Sequence, residues 1–158
     1  MIVIDGHNLL WAVQGSAGSP EVRDEIHLCR LIGRYLERIT DAGEIVFDGT
    51  GPSDKSDFDN INRLEVRFSG LRNDADSVIE RKIEASSATR EMTVVSSDRR
   101  LRRAAQSRRA TAVKSEQFWK TVQIELRRQP TEREPSAKHH GLSESETDQW
   151  LEMFGFEQ

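Results

Sequence analysis

The sequence predicts an α/β domain whose mainly parallel sheet is covered by helices on both faces. Three stretches, "MIVI", "EIVFD" and "MTVVSSD", carry apolar runs without polar alternation, as expected of strands buried on both sides. Segments with helical spacing separate them, and the order β-α-β-β-α-β-α-β-α implies repeated crossovers back to one sheet. Each of the three stretches also ends in, or runs directly into, an aspartate.

Element by element, Met1 to Ile4 form the first strand and Asp5 ends it. A Gly/Ser/Pro-bearing loop through Ser19 and Pro20 follows. Val22, Ile26, Leu28, Leu31, Ile32, Leu36 and Ile39 then predict a long helix, with Pro20 suited to its entry and Gly43 to its exit. Residues 44–48 form the second strand, and a polar loop, "PSDKSDFDN", leads to "RLEVRFSG". There Leu64, Val66 and Phe68 alternate with Glu65 and Arg67, which predicts a strand with one wet face near a sheet edge. Asn73 or Asp74 suits the cap of a helix carrying Val78, Ile79 and Ile83. The third strand, the helix "RRLRRAAQSR", a short strand "ATAVK" and an amphipathic helix from about Ser115 to Arg128 complete the alternation.

These elements assign residues 1–128 to the α/β domain. Residues 129–142, polar and Pro-containing, predict a flexible linker. Residues 143–158 predict a short amphipathic helix capped by Ser143, with Glu146 three residues on and Trp150, Leu151, Met153 and Phe154 as its apolar face. That face needs cover, from its own domain, a partner or a second copy, so a homodimer is one expectation. The lone Cys29, set among apolar residues, reads as a core position and excludes an internal disulfide. His139 and His140, in a polar segment, read as solvated. Neither a bilayer-spanning run nor a secretory leader is evident, so the expectation is a cytoplasmic protein without membrane contact.

Charge is segregated along the chain. Residues 77–128 hold 13 basic against 6 acidic side chains, whereas residues 1–76 hold 8 against 14 and residues 129–158 hold 2 against 7. The basic segment concentrates Arg99, Arg100, Arg102, Arg103, Arg108 and Arg109. This is either a solvated helix face or a surface for a polyanion.

Parallel strands place their ends on one edge, which brings Asp5, Asp48 and Asp98 towards one another and towards Asp74, Asp76 and Glu80 of the following helix. Asp76 and Glu80, four apart, share a helix face. Gathered carboxylates repel and hold their protons more tightly unless a positive charge neutralises them. Mg²⁺ or Mn²⁺, which prefer carboxylate, water and phosphate oxygens, is the expected neutraliser.

The blocks "IDGHNLL", "VFDG", "DADSVIE" and "VVSSDRRL", in this order and spacing, resemble the YacP-like subgroup of the NYN domain family, related to PIN-domain nucleases. The resemblance spans roughly residues 1–120 and leaves out the C-terminal tail. It implies a PIN-like Rossmannoid three-layer sandwich and a divalent-metal-dependent ribonuclease, an endoribonuclease of RNA decay or processing. By position it implies Asp5, Asp48, Asp76 and Asp98 as metal ligands, with Asn8 and Ser97 as polar supports. His7 stands where such sequences often carry an aromatic residue, so stacking on a base and filling the turn are both open. The expected reaction is phosphodiester hydrolysis by metal-activated water. Arg99, Arg100, Arg102 and Arg103, on the helix leaving this edge, are placed to meet phosphates of single-stranded RNA.

Other chemistries fit less well. "VFDGTG" has Val46 where a dehalogenase-type phosphatase needs its nucleophilic aspartate, and "DGHNLL" lacks a dinucleotide-binding glycine pattern. Neither a GK[ST] P-loop nor a GxSxG elbow occurs. The remaining alternative is an RNA-binding or ribosome-associated adaptor with the same fold and no cleavage.

Overall fold

The computed structural model describes residues 1–16 and 19–129. The linker and amphipathic helix expected for the tail therefore lie, apart from Gln129, outside the described residues. Five parallel strands form the sheet in the order β3-β2-β1-β4-β5: β1 (Ile2–Asp5), β2 (Gly43–Phe47), β3 (Leu64–Phe68), β4 (Thr93–Val95) and β5 (Thr111–Val113). The helices are α1 (Gly6–Gln14), α2 (Glu25–Ile39), α3 (Ser56–Asp59), α4 (Ala75–Ala85), α5 (Arg99–Ser107) and α6 (Ser115–Arg127). Among the described residues no helix is long and apolar enough to cross a membrane.

Because side chains alternate across a strand, β1 and β2 supply two cores at once. Ile2, Ile4, Ile45 and Phe47 join Leu28, Ile32, Leu36, Phe118 and Trp119 under α1, α2 and α6. Val3 and Val46 join Ile79, Ile83, Leu101 and Ala105 under α4 and α5. The expected three-layer sandwich is thus present, and β3 is the edge strand its alternation predicted. Cys29 is fully buried, as expected, and its thiol is pushed far above the ordinary range by burial.

Several element boundaries differ from expectation. Helix α1 starts directly at Gly6 where a loop was expected, and α3 lies in the expected polar loop. Helix α2 is capped by the Asp24 carboxylate, which accepts the His27 N–H at 3.1 Å, so Pro20 lies outside it. It ends at Thr40 in the left-handed region (φ 57°), and Gly43 opens β2 instead of closing the helix. A Cβ on Gly43 would meet Leu36 Cδ1 at 3.0 Å and the Ile2 carbonyl at 3.1 Å, so close helix–strand approach accounts for this glycine. Strand β2 stops at Phe47 and β4 at Val95, which leaves Asp48 and Asp98 in the turns beyond them.

One buried position on β2 is charged. Glu44 is fully buried and is paired with Lys82 of α4 and with Arg67 of β3, whose Nε lies 3.1 Å away. Two cations compensate a carboxylate that would otherwise be costly to remove from water.

Gly6 is fixed by packing rather than by its backbone angles. A Cβ there would lie 2.4 Å from Cδ1 of Phe47, a ring held in the core and stacked on Phe68. Gly6→Ala is expected to lower stability by about 1–3 kcal/mol through overpacking, read as a lower urea midpoint with an unchanged slope.

Candidate active site

The sheet order reverses direction at β1: the chain moves outward to β2 and β3, then returns to add β4 and β5 on the other side. In such sheets the crevice at the carboxyl ends beside this switch is where ligands bind. Asp5 sits at that point, only 6% exposed. Ser96, just past β4 and fully buried, donates its hydroxyl to Asp5 Oδ2 at 3.1 Å and accepts the Asp98 N–H at 3.0 Å. One serine therefore ties two of the expected acids together across the switch. The residue expected in this supporting role was its neighbour, Ser97.

The other acids arrive on helix starts and turns. The Asp98 carboxylate caps α5, accepting the Arg100 N–H at 2.7 Å. Asp48 accepts the Ala75 N–H at 2.7 Å, joining the turn after β2 to the start of α4. Asp76 lies in the first turn of α4, half-buried. Burial and the neighbouring charges of Asp98 and Asp74 push its carboxyl above the ordinary range, with Asp48 adding to them and Arg100 opposing. Burial, then the charge of Asp76, push Asp5 up to about 6, with Asp48 adding and hydrogen bonds from Ser96 and the Asn8 backbone opposing. Asp5, Asp48, Asp76 and Asp98 thus share one electrostatic field, as expected. Asp74 and Glu80 have other tasks: Asp74 caps α4 through the Ser77 N–H at 2.7 Å, and Glu80 clamps Arg100 through two hydrogen bonds of 2.6 and 2.7 Å.

The polar supports form a second network. Asn8 Oδ1 accepts both the Ser97 N–H (2.9 Å) and the Ser115 hydroxyl (2.6 Å), and the Ser97 hydroxyl donates to Glu116 at 2.6 Å. Ser115 and Glu116, at the start of α6, were not identified from sequence, because nothing in their local pattern shows that α6 returns to this edge. The Ser97 hydroxyl holds Glu116 below the ordinary carboxylate range. His7 accepts the Asp48 N–H at Nδ1 (3.3 Å), lies edge-on to Phe47 and places Nε2 3.4 Å from Glu25. Through these contacts the ring holds the Asp48 turn, and stacking on a base stays open beside that role. Of the arginines, Arg99, Arg100 and Arg103 are exposed on α5, and Arg102 is half-buried with its Nε lacking a partner. Arg100 is neutralised by Glu80.

Asp5, Asp48, Asp76 and Asp98 are the residues that could hold a hard cation. Among the described residues no Lys or Arg forms an ion pair with Asp5, Asp48, Asp76 or Asp98, and two of these carboxyls are held high by burial and mutual repulsion. Nor do any three acidic, His or Cys side chains among the described residues form a ready-made ligand cage. Such an arrangement suits Mg²⁺, which takes one or two carboxylates and completes its shell with water and substrate phosphate.

This fold and this acidic edge define a PIN-like, nuclease-type domain. The chain belongs to the YacP-like NYN domain family, whose sequence profile matches residues 2–154. The match reaches well into the C-terminal segment that the resemblance had left out. Among solved structures it is similar to Rae1 (YacP) from Bacillus subtilis: 18% identity over 80% of this chain and 75% of that one, with a TM-score of 0.63. A point-mutant form of the same Bacillus protein gives 18% identity over 80% and 76%, with a TM-score of 0.61. No curated protein matches the chain.

The raised Asp5 carboxyl makes stability depend on pH. With its folded value near 6 against 3.8 unfolded, the native state binds the extra proton between these values. Stability gained from Asp5 is therefore complete below about pH 4 and is lost as pH rises through about 6. In chelator, Asp5→Asn is expected to flatten this part of the profile and to stabilise the protein at pH 7.5 by roughly 1–3 kcal/mol, measured by urea unfolding across pH.

Proposed function

We propose that this domain is a divalent-metal-dependent ribonuclease that hydrolyses phosphodiester bonds within single-stranded RNA. The carrying observation is the acidic edge itself: carboxylates of Asp5, Asp48, Asp76 and Asp98 share one field, and among the described residues no Lys or Arg pairs with them. An RNA-binding adaptor gains nothing from such a cluster, because bare carboxylates repel phosphate. Asp5 and Asp76, whose carboxyls are held above the ordinary range, are the principal candidates to hold Mg²⁺ or Mn²⁺, with Asp48 and Asp98 beside them. When bound, the ion would supply Lewis acidity towards a phosphoryl oxygen and a water of lowered pKa.

The chain's own groups position this chemistry. Ser96 fixes the Asp5 carboxylate, and Asn8, with Oδ1 engaged by Ser97 and Ser115, keeps its Nδ2 hydrogens as donors for a phosphate oxygen. Protonation of Asp5 competes with cation binding, so activity should rise with pH through about 6. Internal cleavage is proposed on the strength of the PIN-like resemblance.

Labelled single-stranded and structured RNAs, incubated with Mn²⁺, Mg²⁺ or chelator, test this reading. Metal-dependent cleavage is expected, lost in Asp5→Asn and reduced about 10–100-fold in Ser96→Ala, whose hydroxyl positions Asp5 and the turn carrying Asp98. Binding without cleavage under every metal condition would instead establish the adaptor.

A further inference from the structure

Between α4 and the edge strand β3 opens a cleft of about 450 Å³ whose polar lining is Glu44, Arg67, Ser69, Arg81 and Lys82. We propose that it is a phosphate subsite for the single-stranded RNA substrate, taking a backbone phosphate neighbouring the one at the acids, with Arg81 as its principal cation. The inference rests on the ribonuclease reading and adds to it the path of the strand.

Charge is the first argument. Three cations line the cleft against one fully buried carboxylate, Glu44, which holds Lys82 and Arg67 in place. Arg67 also meets Glu65 at 3.0 Å, so its charge is largely answered. Arg81 differs. Its Nε donates to the Ser77 carbonyl at 3.2 Å and its Nη2 to Asn73 Oδ1 at 3.1 Å, both neutral acceptors. Among the described residues no carboxylate ion-pairs with it. The guanidinium is thus held in one orientation by neutral acceptors, with Asp74 in its field but no carboxylate bonded to it, a state suited to a phosphate. Arg100, the corresponding residue on the basic helix α5, is already occupied by Glu80.

Position is the second. Helix α4 gives Asp76 to the acidic edge and, five and six residues on, Arg81 and Lys82 to the cleft, about 7–9 Å further along its axis. On the other wall, Ser69 donates its N–H to the Phe47 carbonyl at 2.9 Å, and its Oγ accepts the Gly49 N–H at 3.1 Å. The rim of the cleft is therefore hydrogen-bonded to the segments flanking Asp48. A strand whose scissile phosphate lies at the acids has the cleft as its adjoining cationic surface.

The test uses the full chain carrying Asp5→Asn, in chelator, with a fluorescein-labelled oligouridylate followed by anisotropy across a salt series. Arg81→Glu is expected to weaken binding about ten-fold or more, and Arg81→Ala to reduce the salt slope by about one. Arg90→Glu, exposed before β4 and remote from the carboxyl edge, serves as the charge-matched control and should change affinity by less than about three-fold. Thermal melts verify that each variant is folded. If both Arg81 variants bind as the parent and control do, the cleft is not a subsite and the ribonuclease reading stands. If the parent itself fails to bind RNA at low salt both in chelator and with Mn²⁺ added, that reading falls and takes the subsite with it.

Discussion

The hydrogen bond from Ser96 to Asp5 is the contact on which the site depends. It joins the ends of β1 and β4, the two strands between which the sheet changes direction, and it is made between buried groups. Through the Asp98 N–H, the same hydroxyl fixes the start of α5. Without it, Asp5 would be a desolvated carboxylate with only a backbone donor, and the turn carrying Asp98 would lose its link to the central strand. The other two acids are anchored on α4: Asp48 by its bond to the first residue of that helix, and Asp76 by its place in the first turn.

The sheet makes such an edge tolerable. Both faces of β1 and β2 are packed, so the strands cannot slip to relieve repulsion at their ends without moving an entire apolar set to the wrong side. Rigid apolar layers below and unpaired carboxylates above are the combination in which like charges stay close. On the flank between α4 and β3 the chain solves the converse problem, burying Glu44 between Lys82 and Arg67 and leaving Arg81 bonded to neutral acceptors.

Much of this was legible in the sequence because it depends on short-range pattern. The unalternating strands, the wetter strand at residues 64–68, the Asp74 cap and the amphipathic helix from Ser115 each depend on neighbours within a turn or a pleat. Helix α1 was missed because the exposed Trp11 interrupts its apolar spacing. The Asp24 cap was hidden by the more conspicuous Pro20. Choosing Ser97 over Ser96 shows a firmer limit, since adjacent serines differ only in which way the backbone turns them. Glu44 stands in the second strand with no local sign that Lys82 and Arg67 meet it there. The Arg100–Glu80 pair joins residues on two helices, so no local pattern announces that an arginine of the basic run is already neutralised.

The central claim is that the acids at the carboxyl edge form a cation site, and Mn²⁺ binding to the metal-free protein, monitored by electron paramagnetic resonance, tests it most directly. The account predicts saturable binding at pH 7.5 that is abolished in Asp5→Asn, strongly weakened in Asp76→Asn and unchanged in Asp54→Asn, an exposed acid in the loop after β2. Binding that survives both of the first two substitutions, or no binding by the parent protein, would contradict it.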